Sequence, residues 1–109
     1  MVDEILQGAS FVLNETYRET RFLKPPKDTY AVFHDYMGSR GADNLNLIEE
    51  HEITVELYEY STDPDAEKRI EEQLDERGVE YEKQPRVWIE QEQLYQVIYE
   101  FNYTKKKGE

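Results

Sequence analysis

Both histidines of the chain, His34 and His51, lie in one segment with acidic residues of the kind that bind metal ions, including Asp35, Asp43 and Glu49. Imidazole nitrogens and carboxylate oxygens are common ligands of zinc and related metals. However, the two histidines are far apart in sequence, and neither stands in an H-x-x-x-H frame or another recognised ligand spacing. We therefore predict no metal ligand, and a small metal-dependent enzyme centred on the two histidines stays an alternative hypothesis.

The middle of this segment reads GSRGADN and invites comparison with phosphate-binding loops. In those loops, glycines allow backbone N–H groups to surround an anion at the start of a helix. Neither common glycine-rich phosphate-binding motif is present here, and no helix is predicted to follow the loop. Because the same residue types also form tight turns, we interpret the segment as the tip of a β-hairpin.

Such a hairpin is sufficient to bring the histidines and acids together without any functional demand. One register places His34 opposite His51, and a register shifted by one residue places Asp35 opposite His51 instead. The register between the two strands therefore determines which of these side chains lie opposite each other.

The other residue types give little support to catalysis. The chain has no cysteine, which excludes disulfides, thiolate metal sites and cysteine nucleophiles. No serine stands in a recognised nucleophile motif, and the acids are too numerous for a catalytic carboxylate pair to be singled out. We therefore predict no catalytic residue, no cofactor and a protein that is not an enzyme.

Hydrophobic periodicity and turn residues predict the elements that position these groups. In chain order they are a helix over 2–13, a peripheral strand over 16–22, strands over 29–37 and 48–60, a helix that starts after Thr62 or Asp63 and ends at Gly78, and two strands joined at 90–93. Pro85 predicts a break or an edge position in the first of those two strands. The order α-β-β-β-α-β-β predicts an α+β domain over 1–104, with an antiparallel-rich sheet and both helices on one side. Residues 105–109 are predicted to form a mobile basic tail.

The charge of the chain excludes a generally basic nucleic-acid-binding surface. Lys and Arg number 13 against 25 for Asp and Glu, which gives a formal net charge of -12 over 109 residues. The first residues are acidic where a secretory signal is basic, and no apolar run approaches the roughly 20 residues that a membrane span needs. We therefore expect no specific nucleic-acid binding, no membrane partner and a protein that works or is assembled in cytoplasm.

Five sequence segments, in this order, cover much of the chain and are the basis of a resemblance to a known family: RFLKPPKDTYAVF, GADN, HEITVELYEY, IEEQLDERGVEYEK and WIEQEQLYQVIYEFNY. In these the chain resembles the tail-terminator, or tail-to-head joining, proteins of siphophages and Gram-positive prophages. The resemblance implies a small α+β subunit that assembles into a ring, commonly a hexamer, which caps the tail tube and joins it to the head connector. It also implies that other copies of the chain, the major tail protein and the head-completion protein are partners, and that the protein lies at the head–tail junction of the virion, without cofactor or catalysis.

The resemblance supplies no functional residues, so the subunit interface is inferred from physical arguments. A projecting hairpin with a polar tip can reach a neighbouring subunit, and open sheet edges can extend a sheet across a subunit boundary. We therefore predict Arg40, Asp43 and Asn44, at the tip, as candidate interface residues. If DNA crosses the ring, the acidic surplus would repel its phosphates and let it slide. This hypothesis predicts that Asp and Glu are concentrated on the inner wall of the ring.

The alternative from another class is an acidic protein-binding module, such as an inhibitor that mimics the charge of a nucleic acid. That module would be monomeric or dimeric and would bind a basic partner with strong salt dependence.

Overall fold

Three long strands form the centre of the molecule, and the other elements pack around them. The computed structural model describes residues 1–40 and 48–106. Its elements are α1 (Val2–Gly8), β1 (Tyr17–Glu19), β2 (Tyr30–Arg40), β3 (Ile48–Glu59), α2 (Pro64–Glu76), β4 (Tyr81–Lys83), β5 (Val87–Ile89) and β6 (Leu94–Lys106). At about 3.3 Å per residue, β2, β3 and β6 cover most of the 50 Å that the molecule measures along its longest axis.

The strands form one six-stranded sheet with the order β1-β2-β3-β6-β4, in which β5 also pairs with β6. Only the pairing of β1 with β2 is parallel among the described strands, and the other pairings are antiparallel. The predicted α+β class, the antiparallel-rich sheet and the order of elements are confirmed.

The strand predicted before the last turn is divided into two short pieces. β4 and β5 lie end to end along one side of β6, where β4 pairs with Tyr99–Phe101 and β5 with Leu94–Gln96. Pro85 lies in the interruption between them, because it has no backbone N–H to donate to a strand partner. The predicted break at this proline is confirmed.

Both ends of α2 follow from the sequence. Asp63 is the N-cap, and its Oδ1 accepts a hydrogen bond of 3.1 Å from the backbone N–H of Ala66. At the other end, Gly78 takes a φ of +67°, and the next residue, Val79, donates its N–H to the carbonyl of Leu74 at 2.9 Å. This is a Schellman ending, so the predicted C-terminal glycine is confirmed.

The first helix is shorter than predicted. α1 ends at Gly8, and the chain then turns through Ser10, which has a φ of +74°, so that Phe11 donates its N–H to the carbonyl of Leu6 at 2.9 Å. The prediction of a helix to residue 13 is therefore wrong. Val12 and Leu13, which extended the helical period in the sequence, lie outside the helix and are exposed, whereas Phe11 enters the core.

Both helices cover the same face of the sheet, as predicted. The core lies between them and the odd-numbered residues of the long strands, including Phe33, Val55 and Tyr99. We call this side of the sheet the helix face and the other side the open face. From α2, Ala66, Ile70 and Leu74 enter the core and are fully buried, so the predicted apolar stripe is the contact with the sheet.

The last strand is longer than the predicted domain boundary suggests. β6 continues to Lys106, and Lys105 pairs with Glu49 of β3. Residues 107–109 lie outside the described residues, so the mobile tail stays a prediction for them.

Candidate functional surfaces

The register of the β2–β3 hairpin differs from both registers that the sequence suggested. His51 lies opposite Met37, and Asp35 lies opposite Ile53. The pairing follows the match of apolar residues, with Phe33 opposite Val55, because this match sets which side chains reach the core. Both predicted registers are therefore wrong.

The two histidines consequently lie on opposite faces of the sheet. His34, whose position is even, lies on the open face, where its Nε2 is 3.3 Å from Oε2 of Glu56. His51 lies on the helix face. A metal site that uses both histidines is inconsistent with this register, and no group of three metal-ligating residues is arranged around one point within residues 1–40 and 48–106.

His51 has a structural role within the hairpin. Its side chain is 9% exposed, with Nδ1 at 2.8 Å from Oδ1 of Asp35 and Nε2 at 3.2 Å from Oε1 of Glu49. Its ring stacks on that of Tyr103, with 4.5 Å between centroids and 2° between planes. These contacts join β2, β3 and β6 at one point, where the sheet leaves the helices.

Of the three predicted interface residues, only Arg40 lies among the residues that the structure describes. Arg40 is the last residue of β2, and its backbone pairs with Ile48. Asp43 and Asn44 lie outside the described residues. The role of the tip in subunit contacts therefore stays a prediction.

Beyond the helices, the sheet continues as three strands with two open edges. β1 pairs with β2 only as far as Phe33, so β2 has no described partner strand on that side from His34 to Arg40. On the other side, β4 pairs with β6 only as far as Phe101, so the end of β6 has no partner on that side among the described residues. We call this part, comprising 35–40, 48–52 and 102–106, the projecting sheet.

Hydrogen bonds at the β1 end show which backbone groups of β2 point outward. Ala31 donates its N–H to the carbonyl of Thr16 at 2.9 Å, and the carbonyl of Phe33 accepts from Thr20 at 2.8 Å. Because β2 pairs with β3 without interruption, the alternation continues, and Asp35 and Met37 also point their N–H and carbonyl groups away from β3. An exposed row of this kind is a template for another strand.

The open face carries glutamates on its central strands and on β4. Four of them belong to neighbouring strands: Glu52, Glu56, Glu82 and Glu100. Glu82 lies directly opposite Glu100, a pairing of like charges that costs free energy unless something offsets it. The Gln84 amide donates a hydrogen bond to Glu100. This face is thus acidic and is not covered by either helix.

Near β1, the open face contains a groove with an aromatic floor. The groove, about 490 Å³ in volume, has eleven lining residues: Thr20, Arg21, Phe22, Pro25, Tyr30, Val32, Glu56, Tyr58, Tyr60, Glu92 and Leu94. We call it the aromatic groove. Sequence reasoning missed it, because its residues come from three strands and three connecting segments that only the fold brings together.

A buried ionic cluster joins α2 to β3 and to the β4–β5 segment. Its carboxylates are Glu59, fully buried at the end of β3, and Glu67 of α2, which is 5% exposed. Lys83 Nζ lies 2.9 Å from Oε1 of Glu67, and Arg86 binds the other oxygen of the same carboxylate. The cations on either side of Pro85 thus hold the divided edge strand against the helix.

The electrostatics of the two carboxylates differ. Burial raises the pKa of Glu59 to about 7, and nearby Glu67 adds to the increase, whereas the hydrogen bond from the backbone N–H of Asp63 opposes it. Burial alone would also raise the pKa of Glu67, but hydrogen bonds from Lys83 and Arg86 lower it overall. One oxygen of Glu59, Oε1, has no hydrogen-bond partner within the described part of the chain.

Comparisons with known proteins do not identify a family. No protein-family model matches the chain, and a search among curated proteins finds no significant relative. Among the described residues, no helix has the length and apolar character required to cross a membrane.

Proposed function

We propose that the chain is a structural subunit of the tail-terminator type, which assembles with further copies into a ring at the junction of a phage tail and head. The observation that carries this proposal is the projecting sheet with its two open edges. A monomer gains nothing from leaving both edges of a sheet without partners, because such edges promote uncontrolled association. Pairing with neighbouring copies would satisfy them.

The two edges favour a closed ring over a symmetric dimer. One edge belongs to β2 and the other to β6, so the surfaces that would meet between copies are different. A contact between different surfaces repeats from subunit to subunit and closes into a ring when the rotation permits. The acidic open face, if it lined the channel, would repel DNA phosphates and allow DNA to pass without adhering.

Replacing Met37 with proline is expected to abolish assembly while the subunit stays folded. The outward N–H of Met37 is not needed by β3, and proline is tolerated on edge strands at such positions. It would nevertheless remove the donor that a neighbouring strand requires. Native mass spectrometry of the purified chain over a series of concentrations measures the loss of the oligomer.

Met37→Ala is the matched control, because it removes the same side chain but keeps the N–H, and it should assemble like the wild type. Circular dichroism should show the same unfolding temperature for Met37→Pro and Met37→Ala to within a few degrees, about what 1 kcal/mol produces in a domain of this size. If Met37→Pro assembles normally, the β2 edge is not the interface. A wild-type chain that stays monomeric at every concentration contradicts self-assembly.

The genes beside the one that encodes this chain provide an independent test of the phage assignment. We expect neighbours that encode head-completion and major tail proteins. A neighbourhood without any phage structural gene would count against the proposal, whatever the oligomeric state.

The acidic open face also favours one second candidate, a protein-binding module that mimics the charge of a nucleic acid. That module would be monomeric or dimeric and would bind a basic protein with an affinity that falls steeply with salt. Oligomeric state separates the two candidates, since only the tail-terminator role requires a ring.

A further inference from the structure

We propose that the aromatic groove binds the cationic side chain of a lysine or arginine that a partner protein inserts into it. The groove belongs to the end of the sheet opposite the projecting sheet, so it is separate from the proposed subunit interface. This inference does not depend on ring formation.

The floor of the groove offers aromatic rings in a fixed arrangement. The rings of Tyr30 and Tyr58 stack with 5.0 Å between centroids and 21° between planes. Phe22 meets Tyr30 edge-on, at 5.6 Å and 85°. A cation over the face of such rings is attracted by their negative π-electron density, and several rings together form the cages that recognise alkylammonium groups.

Burial keeps Tyr30 neutral, and hydrogen bonds hold Tyr58 in place. Burial, assisted by the nearby charges of Glu92 and Glu56, raises the pKa of Tyr30 to about 12. The hydroxyl of Tyr58 donates to Oε1 of Glu56 at 2.6 Å and accepts from Nε2 of Gln96 at 3.0 Å. The aromatic floor is therefore fixed before any ligand arrives, which lowers the entropic cost of binding.

Charge complementarity decides between a cationic and a neutral occupant. Glu56 and Glu92 line the groove, and Arg21 is the only lysine or arginine among its described lining residues. No ion pair connects Arg21 with either glutamate among the described residues. Oε1 of Glu56 already accepts from Tyr58, and its Oε2 lies 3.3 Å from Nε2 of His34, so Glu92 is the lining carboxylate that is more open to a cation from outside. The chain as a whole carries a charge of -12, which would also attract a basic partner.

The surroundings of the groove favour a peptide segment as the carrier of the cation. Pro25 lines the groove, and Leu23, two residues earlier in the same connecting segment, is 79% exposed. A leucine this exposed offers apolar contact to residues that flank an inserted lysine or arginine. The volume of about 490 Å³ exceeds what one long side chain fills, so flanking peptide atoms have room as well.

Titration of the isotope-labelled chain with short blocked peptides tests the proposal by NMR. The probes are acetyl-Ala-Lys-Ala-amide, acetyl-Ala-Arg-Ala-amide and the neutral analogue with norleucine in the central position. We expect saturable shifts of the backbone amides of Tyr30, Tyr58 and Leu94 with the cationic peptides, and affinity at least about ten-fold lower for the norleucine peptide. Equal binding of the norleucine peptide would show an apolar site and overturn the proposal, as would the absence of any shift.

Two pairs of variants separate the groove from the general acidity of the open face. Glu56→Gln and Tyr58→Leu should each weaken the cationic peptides at least about five-fold. The matched controls Glu82→Gln and Tyr36→Leu make the same chemical changes on the same face but outside the groove, and they should bind like the wild type. If Glu82→Gln weakens binding as much as Glu56→Gln, the peptides respond to net charge and the groove is not a site.

Discussion

Replacing Tyr99 with alanine is expected to lower the free energy of unfolding by about 3–5 kcal/mol, the cost typical of deleting a buried aromatic side chain. Tyr99 is fully buried at the centre of β6. Its ring meets that of Tyr81 at 5.9 Å, and Lys83 Nζ lies 5.8 Å from its centroid. The loss would be a large fraction of the roughly 5–15 kcal/mol that stabilise a typical domain. Urea unfolding followed by circular dichroism measures it.

Two further variants help to interpret this effect: one measures the contribution of the hydroxyl, and the other is a control at an exposed position. The hydroxyl of Tyr99 donates to Oε2 of Glu71 at 2.8 Å, so Tyr99→Phe should cost about 0.5–1.5 kcal/mol, the net value of one hydrogen bond. Tyr36→Ala removes the same side chain from a position that is 64% exposed, and it should change stability by no more than about 0.5 kcal/mol. A Tyr99→Ala variant as stable as Tyr36→Ala would mean that β6 does not pack against the helices as described.

The second large effect is expected from Glu59→Gln, which should stabilise the chain at pH 8 by about 1–3 kcal/mol and have little effect at pH 4.5. Glu59 is fully buried, and burial raises its pKa to about 7 in the folded chain. The neutral form is therefore favoured by folding. Glutamine keeps an oxygen that can accept from the N–H of Asp63 and has no charge to lose.

The sign follows from the difference between the folded and unfolded states. In the unfolded chain Glu59 loses its proton near 4.5, the ordinary pKa of a glutamate side chain, and in the folded chain it does so only near 7. Its contribution to stability is therefore full below about pH 4.5, falls as the pH rises to about 7, and is constant above that. Denaturant unfolding of wild type and variant at several pH values measures the difference between them.

Glu15→Gln is the control for this pH dependence, since it removes the same charge from an exposed residue. At pH 8 it should change stability much less than Glu59→Gln does. If Glu59→Gln instead destabilises the chain equally at every pH, Glu59 is ionised throughout the range, and the guanidinium of Arg86, whose Nε lies 3.7 Å from Oε1, holds it in the charged form.

Local patterns in the sequence predict much of this fold. The strict alternation of β3 predicts that Ile53, Val55 and Leu57 face inward, and all three are buried. The ends of α2 are also encoded locally, in Asp63 and Gly78, because caps depend on the hydrogen bonds and dihedral angles of a few neighbouring residues.

Features that depend on distant residues could not be predicted in this way. Glu59 continues the inward alternation of β3, yet a glutamate at the end of a strand is usually solvated. It is buried because α2 begins directly above it and supplies the N–H of Asp63. The predicted registers of the hairpin were wrong for a related reason. Several registers match apolar residues across the two strands, and packing in the core determines which of them forms.

The aromatic groove shows the same limit for a candidate site. Phe22, Tyr30 and Tyr58 are individually ordinary aromatic residues of strands or their connections. Only the path of the 20–29 segment over the open face brings Phe22 against Tyr30. By contrast, the acidic surplus, which is a property of composition, could be read from the sequence directly.

The unbroken pairing of the three long strands has a mechanical consequence. β2 pairs with β3, and β3 with β6, residue by residue from the helices to the far end, without a bulge that could act as a hinge. Bending the three strands would strain the hydrogen bonds along their whole length, because no interruption concentrates the bend at one place. The projecting sheet is therefore built as a stiff lever, so a small rotation at its base becomes a larger displacement at its tip.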